Sequence, residues 1–152
     1  MKYETTRFGM VEFRDDTIIT FPEGIIGFED FSRFVILGNH DQSMFSWLQS
    51  IEDPSLAFVI ISPYEFKSDY SLTLEDKDLE KLESPESSQI VVYSIVVVPD
   101  DPKNMTANLQ APLVINAEKK IGRQIISTNP RHCLRHNILE ELNKSKEKKV
   151  QE

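Results

Sequence analysis

No segment constrains the fold of this chain more than residues 88–98, Ser-Gln-Ile-Val-Val-Tyr-Ser-Ile-Val-Val-Val, closed by Pro99. Val and Ile lose rotamer freedom against the preceding turn of a helix but fit a pleated sheet. The run therefore predicts a long strand. Apolar residues at both odd and even positions (Ile90, Val91, Val92, Ile95, Val96) call for cover on both faces, which places it centrally.

Shorter strands surround it in the sequence. Residues 33–37, 44–49 and 57–62 are apolar-rich and end in turn-forming residues. Residues 10–14 and 17–21 flank Asp15-Asp16 and read as a hairpin, after which Pro22, Gly24 and Gly27 end regular structure. A second hairpin is expected from 106–116 and 121–127 around Glu118-Lys119-Lys120, with Pro112 marking a bend and Gly122 loosening the turn. Helical signals occur twice. At 74–83, Thr73 is the expected cap, Glu75, Asp76 and Asp78 suit the positive end of the dipole, and Leu79 and Leu82 dock the helix. Asn129-Pro130 predicts the start of a C-terminal helix with Leu134, Ile138 and Leu142 on one stripe. The expected fold is mainly β: a small antiparallel barrel or sandwich with one short helix and a C-terminal helix. Residues 1–143 form its single domain and 144–152 a frayed, charged tail.

Charge narrows the function. The net charge is −8, and between Glu23 and Asp101 there are 16 acidic against 4 basic residues, a local balance of −12. Such a surface repels phosphate backbones, so direct binding of nucleic acid is not expected, and a basic protein is its natural counterpart. The single cysteine, Cys133, excludes an internal disulfide and fits a reducing compartment. The N-terminus lacks the apolar stretch of a secretion signal, and no run is long enough to span a bilayer, so a cytoplasmic protein is expected.

Motifs for chemistry are sparse. His132, Cys133 and His136 cluster on the expected helix, but a zinc site wants three or four ligands and the remaining histidine, His40, is distant in sequence. The acid pairs Asp15-Asp16, Glu29-Asp30, Glu52-Asp53 and Asp100-Asp101 fall in turns, where carboxylates stand in solvent. There is no phosphate loop, nucleophile elbow or zinc-protease signature. No catalytic residue, metal or cofactor is assigned, and the chain is read as a binding protein and not an enzyme. Phe28, in a loop between a glycine and acids, is a candidate exposed anchor; Trp47 lies in a strand that buries some side chains and exposes others.

Several segments, in order along most of the chain, resemble a known family. They are Phe21-Pro22-Glu23-Gly24-Ile25-Ile26-Gly27-Phe28-Glu29, Trp47-Leu48-Gln49-Ser50, Ala57-Phe58, the run Asn108 to Asn116, and Gly122-Arg123-Gln124. Together they resemble the flagellar assembly factor FliW family, with Ile26 standing where proline is common. The resemblance implies a cytoplasmic, non-enzymatic regulator that binds flagellin. When free of flagellin, it binds CsrA, an RNA-binding translational repressor, and relieves repression of flagellin translation. Loop position and charge, not the family, nominate the contact residues: Glu23, Glu29, Asp30, Glu75, Asp76 and Asp78, with Phe28 and Trp47 as apolar anchors. Two other readings stand beside this one. A small-ligand-binding or hydrolytic barrel would need polar groups converging in a deep pocket. The other is a flagellin chaperone without a role in translation.

Overall fold

The computed structural model describes residues 1–38 and 44–151, with side chains described through Lys144. His40 lies outside the described residues. The long strand predicted at 88–98 is β7, Ile90–Val97, and it is central: β6 (Ala57–Ile61) pairs along one edge, and β8 (Thr106–Ala107) and β9 (Leu113–Asn116) share the other. From β6 the sheet continues antiparallel through β5 (Phe45–Ser50) and β4 (Arg33–Gly38) to β3 (Ile19–Thr20). β3 then pairs in parallel with β10 (Ile121–Gln124), whose antiparallel partner β9 returns to β7. The circuit β3-β4-β5-β6-β7-β9-β10 is thus a closed barrel, which leaves no edge within the ring.

The two faces of this sheet build two apolar clusters. Phe34, Leu48, Ile60, Leu113 and Ile115 occupy one face with Phe21 and Ile25 of the following loop. Ile61, Val92, Val96 and Val114 occupy the other, packed by Phe66, Tyr70, Leu82, Leu109 and Ile138. Val92 and Val96 against Ile95 and Tyr93 show the strand alternation that serves both. Gly122 lies within β10 opposite Ile115 and not in the turn; a Cβ there would stand 2.4 Å from the Phe21 ring, so its missing side chain admits that ring. The β9–β10 turn is made instead by Asn116, whose Oδ1 accepts from Glu118 N and Lys119 N, and by Lys120 at φ 57.

Three expectations need correction. The hairpin expected from 10–14 and 17–21 does not form: β2 (Gly9–Glu12) pairs with β1 (Lys2–Thr5), and Asp15–Thr17 is a 3-10 turn leading to β3. Gly9 at φ 65 and the Thr5 hydroxyl, which accepts from Phe8 N, close the β1–β2 turn. Helix α1 is shorter than 74–83, spanning Asp76–Lys81, with Glu75 and not Thr73 at its cap position. The C-terminal helix α2 begins at Ile138, not at residue 130. Asn129 does cap a turn, accepting from Arg131 N, but Leu109 N then donates to Cys133 O, and His136–Asn137 (β11) pairs with β8. These contacts hold the chain extended until Asn137 Oδ1 accepts from Glu140 N and α2 starts. Leu134 is therefore not on the helical stripe that carries Ile138 and Leu142.

Candidate functional site: an apolar groove and an acidic flank

Ile26, Val97, Ile126 and Leu134 are each more than half exposed, at 61, 58, 57 and 56%. They come from four separate segments, yet all line one open groove of about 450 Å³ with Ile25, Phe28, Phe58 and Ile95. Closure of the barrel brings them together. Ile95 and Val97 project from the same face of β7, and Asn108 N donates to Ile95 O alongside. The 21–31 loop supplies the opposite wall. Gly24, at φ 73, allows that loop to fold tightly: a Cβ there would come within 2.6 Å of the Glu29 Cα. Phe28 packs edge-on against Phe58 at 5.1 Å between centroids and remains 39% exposed. Gln124 ties the walls, its Oε1 accepting from Ile26 N at 2.8 Å and its Nε2 donating to Ala111 O at 3.0 Å. A contiguous apolar surface of this kind, with few polar groups, is suited to an apolar segment of another protein.

A second hollow, of about 440 Å³, is lined by Tyr64, Leu72, Leu74, Leu79, Ile90 and Val92. Ile90 and Val92 have the opposite parity on β7 from Ile95 and Val97, so the two hollows open on opposite faces of that strand. Here the surrounding charge is acidic. Glu75 and Asp76 are exposed at the head of α1, which supplies Leu79, and Glu86 precedes the lining residue Ser87.

The nominated residues divide between these places. Phe28 lines the groove, and Glu29 stands beside it with its carboxylate accepting from Gly27 N at 3.1 Å; that backbone contact holds its pKa below the ordinary range. Asp30 is exposed on the same loop. Glu23 ion-pairs with Lys81 at 3.0 Å and Arg123 at 2.8 Å; the Lys81 hydrogen bond, then Arg123, lowers its pKa. Asp78 is buried, 3.3 Å from Arg123 Nε, because its position on α1 faces the barrel. It is therefore unavailable as a surface contact. Trp47 lies away from the groove, half-buried beneath the β1–β2 turn, with the Arg7 guanidinium 4.5 Å above its ring and Phe8 edge-on at 5.4 Å. Ile26, Val97, Ile126 and Leu134 carried no local signal in the sequence; only the barrel topology brings them together.

The histidines serve packing. His132 is buried, stacks on Tyr70 at 4.7 Å and meets Ser127 Oγ at 2.5 Å through Nδ1. Burial, then the charges of Lys67 and His136, lowers its pKa. His136 meets Glu141 at 3.3 Å and the Phe66 ring. Among the described residues no three His, Cys, Asp or Glu side chains are placed to hold a metal ion, and no helix is long and apolar enough to cross a membrane.

Fold and surface together define a small closed β-barrel with an open apolar groove in its wall and an acidic flank on the other face. Comparison with known proteins gives this class a family. The model of the FliW protein family matches residues 2–138. The flagellar assembly factor FliW of Alkaliphilus metalliredigens is 43% identical over 99% of this chain and 94% of its own length. That of Caldicellulosiruptor bescii is 44% identical over 93% and 92%, respectively. A crystal structure of the flagellar assembly factor FliW superposes with a TM-score of 0.83 at 36% identity, covering 91% of this chain and 96% of the other. The chain belongs to the FliW family of flagellar assembly factors.

Proposed function

We propose that this protein binds flagellin in the apolar groove and, when free of flagellin, binds CsrA through its acidic flank and relieves repression of flagellin translation. It acts in the cytoplasm, by binding and without catalysis. The observation that carries the first part is the exposed cluster Ile26, Val97, Ile126 and Leu134. Flagellin kept from premature assembly must hide its amphipathic terminal segments, and such segments bury well in a groove of this kind. The second part rests on charge. Glu75 and Asp76, beside the hollow lined by Leu79, face solvent in the stretch whose balance is −12. An anionic surface docked beside a basic RNA-binding face disfavours RNA by repulsion without covering the RNA site.

Calorimetric titration of flagellin into the wild type and an Ile126→Asp variant tests the groove. Burying an aliphatic side chain of this size is worth about 1.5–3 kcal/mol, so the variant should lose roughly tenfold to a hundredfold in affinity while retaining CsrA. Equal flagellin affinity in both proteins would reject the groove. Failure to bind CsrA in the absence of flagellin would reduce the role to that of a flagellin chaperone.

A further inference from the structure

Resting on the reading that the groove holds a flagellin segment, we infer that Arg135 selects its occupant: an acidic amphipathic segment that places a side-chain carboxylate against the guanidinium. Arg135 lines the groove, whereas no Asp or Glu does. Its place is set by the sheet. His136 pairs with Ala107 and Ala107 with Val96, so the next position along these strands puts Arg135 beside Asn108 and Ile95 on the face that opens to the groove. Among the described residues Arg135 has no ion-pair partner, although acids outnumber bases in the chain by 25 to 17.

The neighbouring polar groups point to the same ligand chemistry. Asn108 Oδ1 is engaged, accepting from Gln110 N at 3.1 Å and Ala111 N at 2.9 Å, so Asn108 offers the groove its amide N–H groups. Gln124 is engaged through both ends of its amide. Arg135 and Asn108 thus present donors, and a partner must bring acceptors. A carboxylate matches the planar fork of a guanidinium in two parallel hydrogen bonds, which fixes orientation as well as adding energy. Because the whole protein is anionic, such a segment gains little from long-range attraction; apolar burial holds it and Arg135 sets its register.

The test is a charge swap in the full-length proteins. Arg135→Glu, Arg135→Ala, Ile126→Asp and, as an exposed cation outside the groove, Arg131→Glu are each titrated with full-length monomeric flagellin after their melting temperatures are compared. Arg135→Glu should weaken binding by about tenfold or more, Arg135→Ala by less, and Arg131→Glu by under about threefold. Flagellin variants with each Asp or Glu of the terminal segments changed singly to Lys are then titrated into Arg135→Glu. One of them should restore affinity to within about threefold of wild type. If Arg135→Glu binds as wild type while Ile126→Asp fails, the groove stands and the carboxylate contact is overturned. Weakening that no flagellin variant rescues also overturns it, because the guanidinium would then be meeting backbone carbonyls. Undiminished binding by Ile126→Asp rejects the groove reading itself, whatever Arg135 does.

Discussion

Replacing Asp78 with Ala should cost this protein more stability than any single change to its exposed acids. Asp78 is 6% exposed and its carboxylate lies 3.3 Å from Arg123 Nε, which is itself buried and makes no hydrogen bond, so the contact is an ion pair alone. Removing one partner of a buried pair costs about 3–5 kcal/mol when the other charge is left uncompensated. Arg123 is not wholly abandoned, since Glu23 still meets its Nη1 at 2.8 Å from the solvent side. The loss should therefore be reduced to about 2–3 kcal/mol. For a domain of this size that lowers the melting temperature by roughly 4–12 °C. Glu23→Ala removes the exposed partner, whose side chain is 57% accessible, and should cost about 0–1 kcal/mol. Urea and thermal denaturation of both variants, with the urea slope checked for constancy, make the comparison. An Asp78→Ala protein melting within about 1 °C of wild type would refute the reasoning, as would a Glu23→Ala protein as damaged as Asp78→Ala. The same argument corrects the expectation that joint reversal of Glu75, Asp76 and Asp78 would spare the fold, because a lysine at position 78 would set a second cation against Arg123.

Other predictions follow from the same geometry. Reversing the exposed Glu75, Asp76 and Glu80 to Lys should leave the melt nearly unchanged but slow association with CsrA, and added salt should slow wild-type association more than it speeds dissociation. Stopped-flow rates across a salt series check this, and a salt-independent association rate would contradict it. His132 has a lowered pKa in the folded state, so below its ordinary value of 6.5 the unfolded chain binds the extra proton and stability falls as pH drops. A His132→Phe variant should lose that part of the acid sensitivity and keep the part below pH 4.5 that comes from the lowered carboxylates Glu23, Glu52 and Glu141; denaturant midpoints from pH 7 to 4 read both. Trp47 is the single tryptophan, and Phe8→Ala should shift its emission to the red by opening the β1–β2 cover; an unmoved spectrum would mean that Phe8 does not shield it.

Local signals in the sequence were reliable where a segment's own composition decides its structure. The β-branched run at 90–97 and the alternation on either side of Glu118-Lys119-Lys120 fix β7, β9 and β10 without help from elsewhere. Lys2–Thr5 escaped notice because its mixture of polar residues carries no apolar pattern, and β1 exists through its pairing with β2. Asn129-Pro130 is a real capping signal that tertiary pairing of 133–137 overrides, delaying α2. At the site, Phe28 was legible as a loop aromatic among charges. Asp78 was not, because its partner Arg123 lies 45 residues further along and helix position alone did not show which acid faces inward. The groove was illegible for the same reason, since Ile26, Val97, Ile126 and Leu134 meet only when the barrel closes.

The most direct test of the central claim is an amide NMR titration of the labelled protein with unlabelled flagellin. The account predicts that perturbations concentrate at residues 25–28, 95–97, 108–111, 124–126 and 134–135, with little change at Asp76–Lys81. Perturbations centred on Asp76–Lys81 or on the β1–β2 hairpin, with the groove residues unmoved, would contradict it.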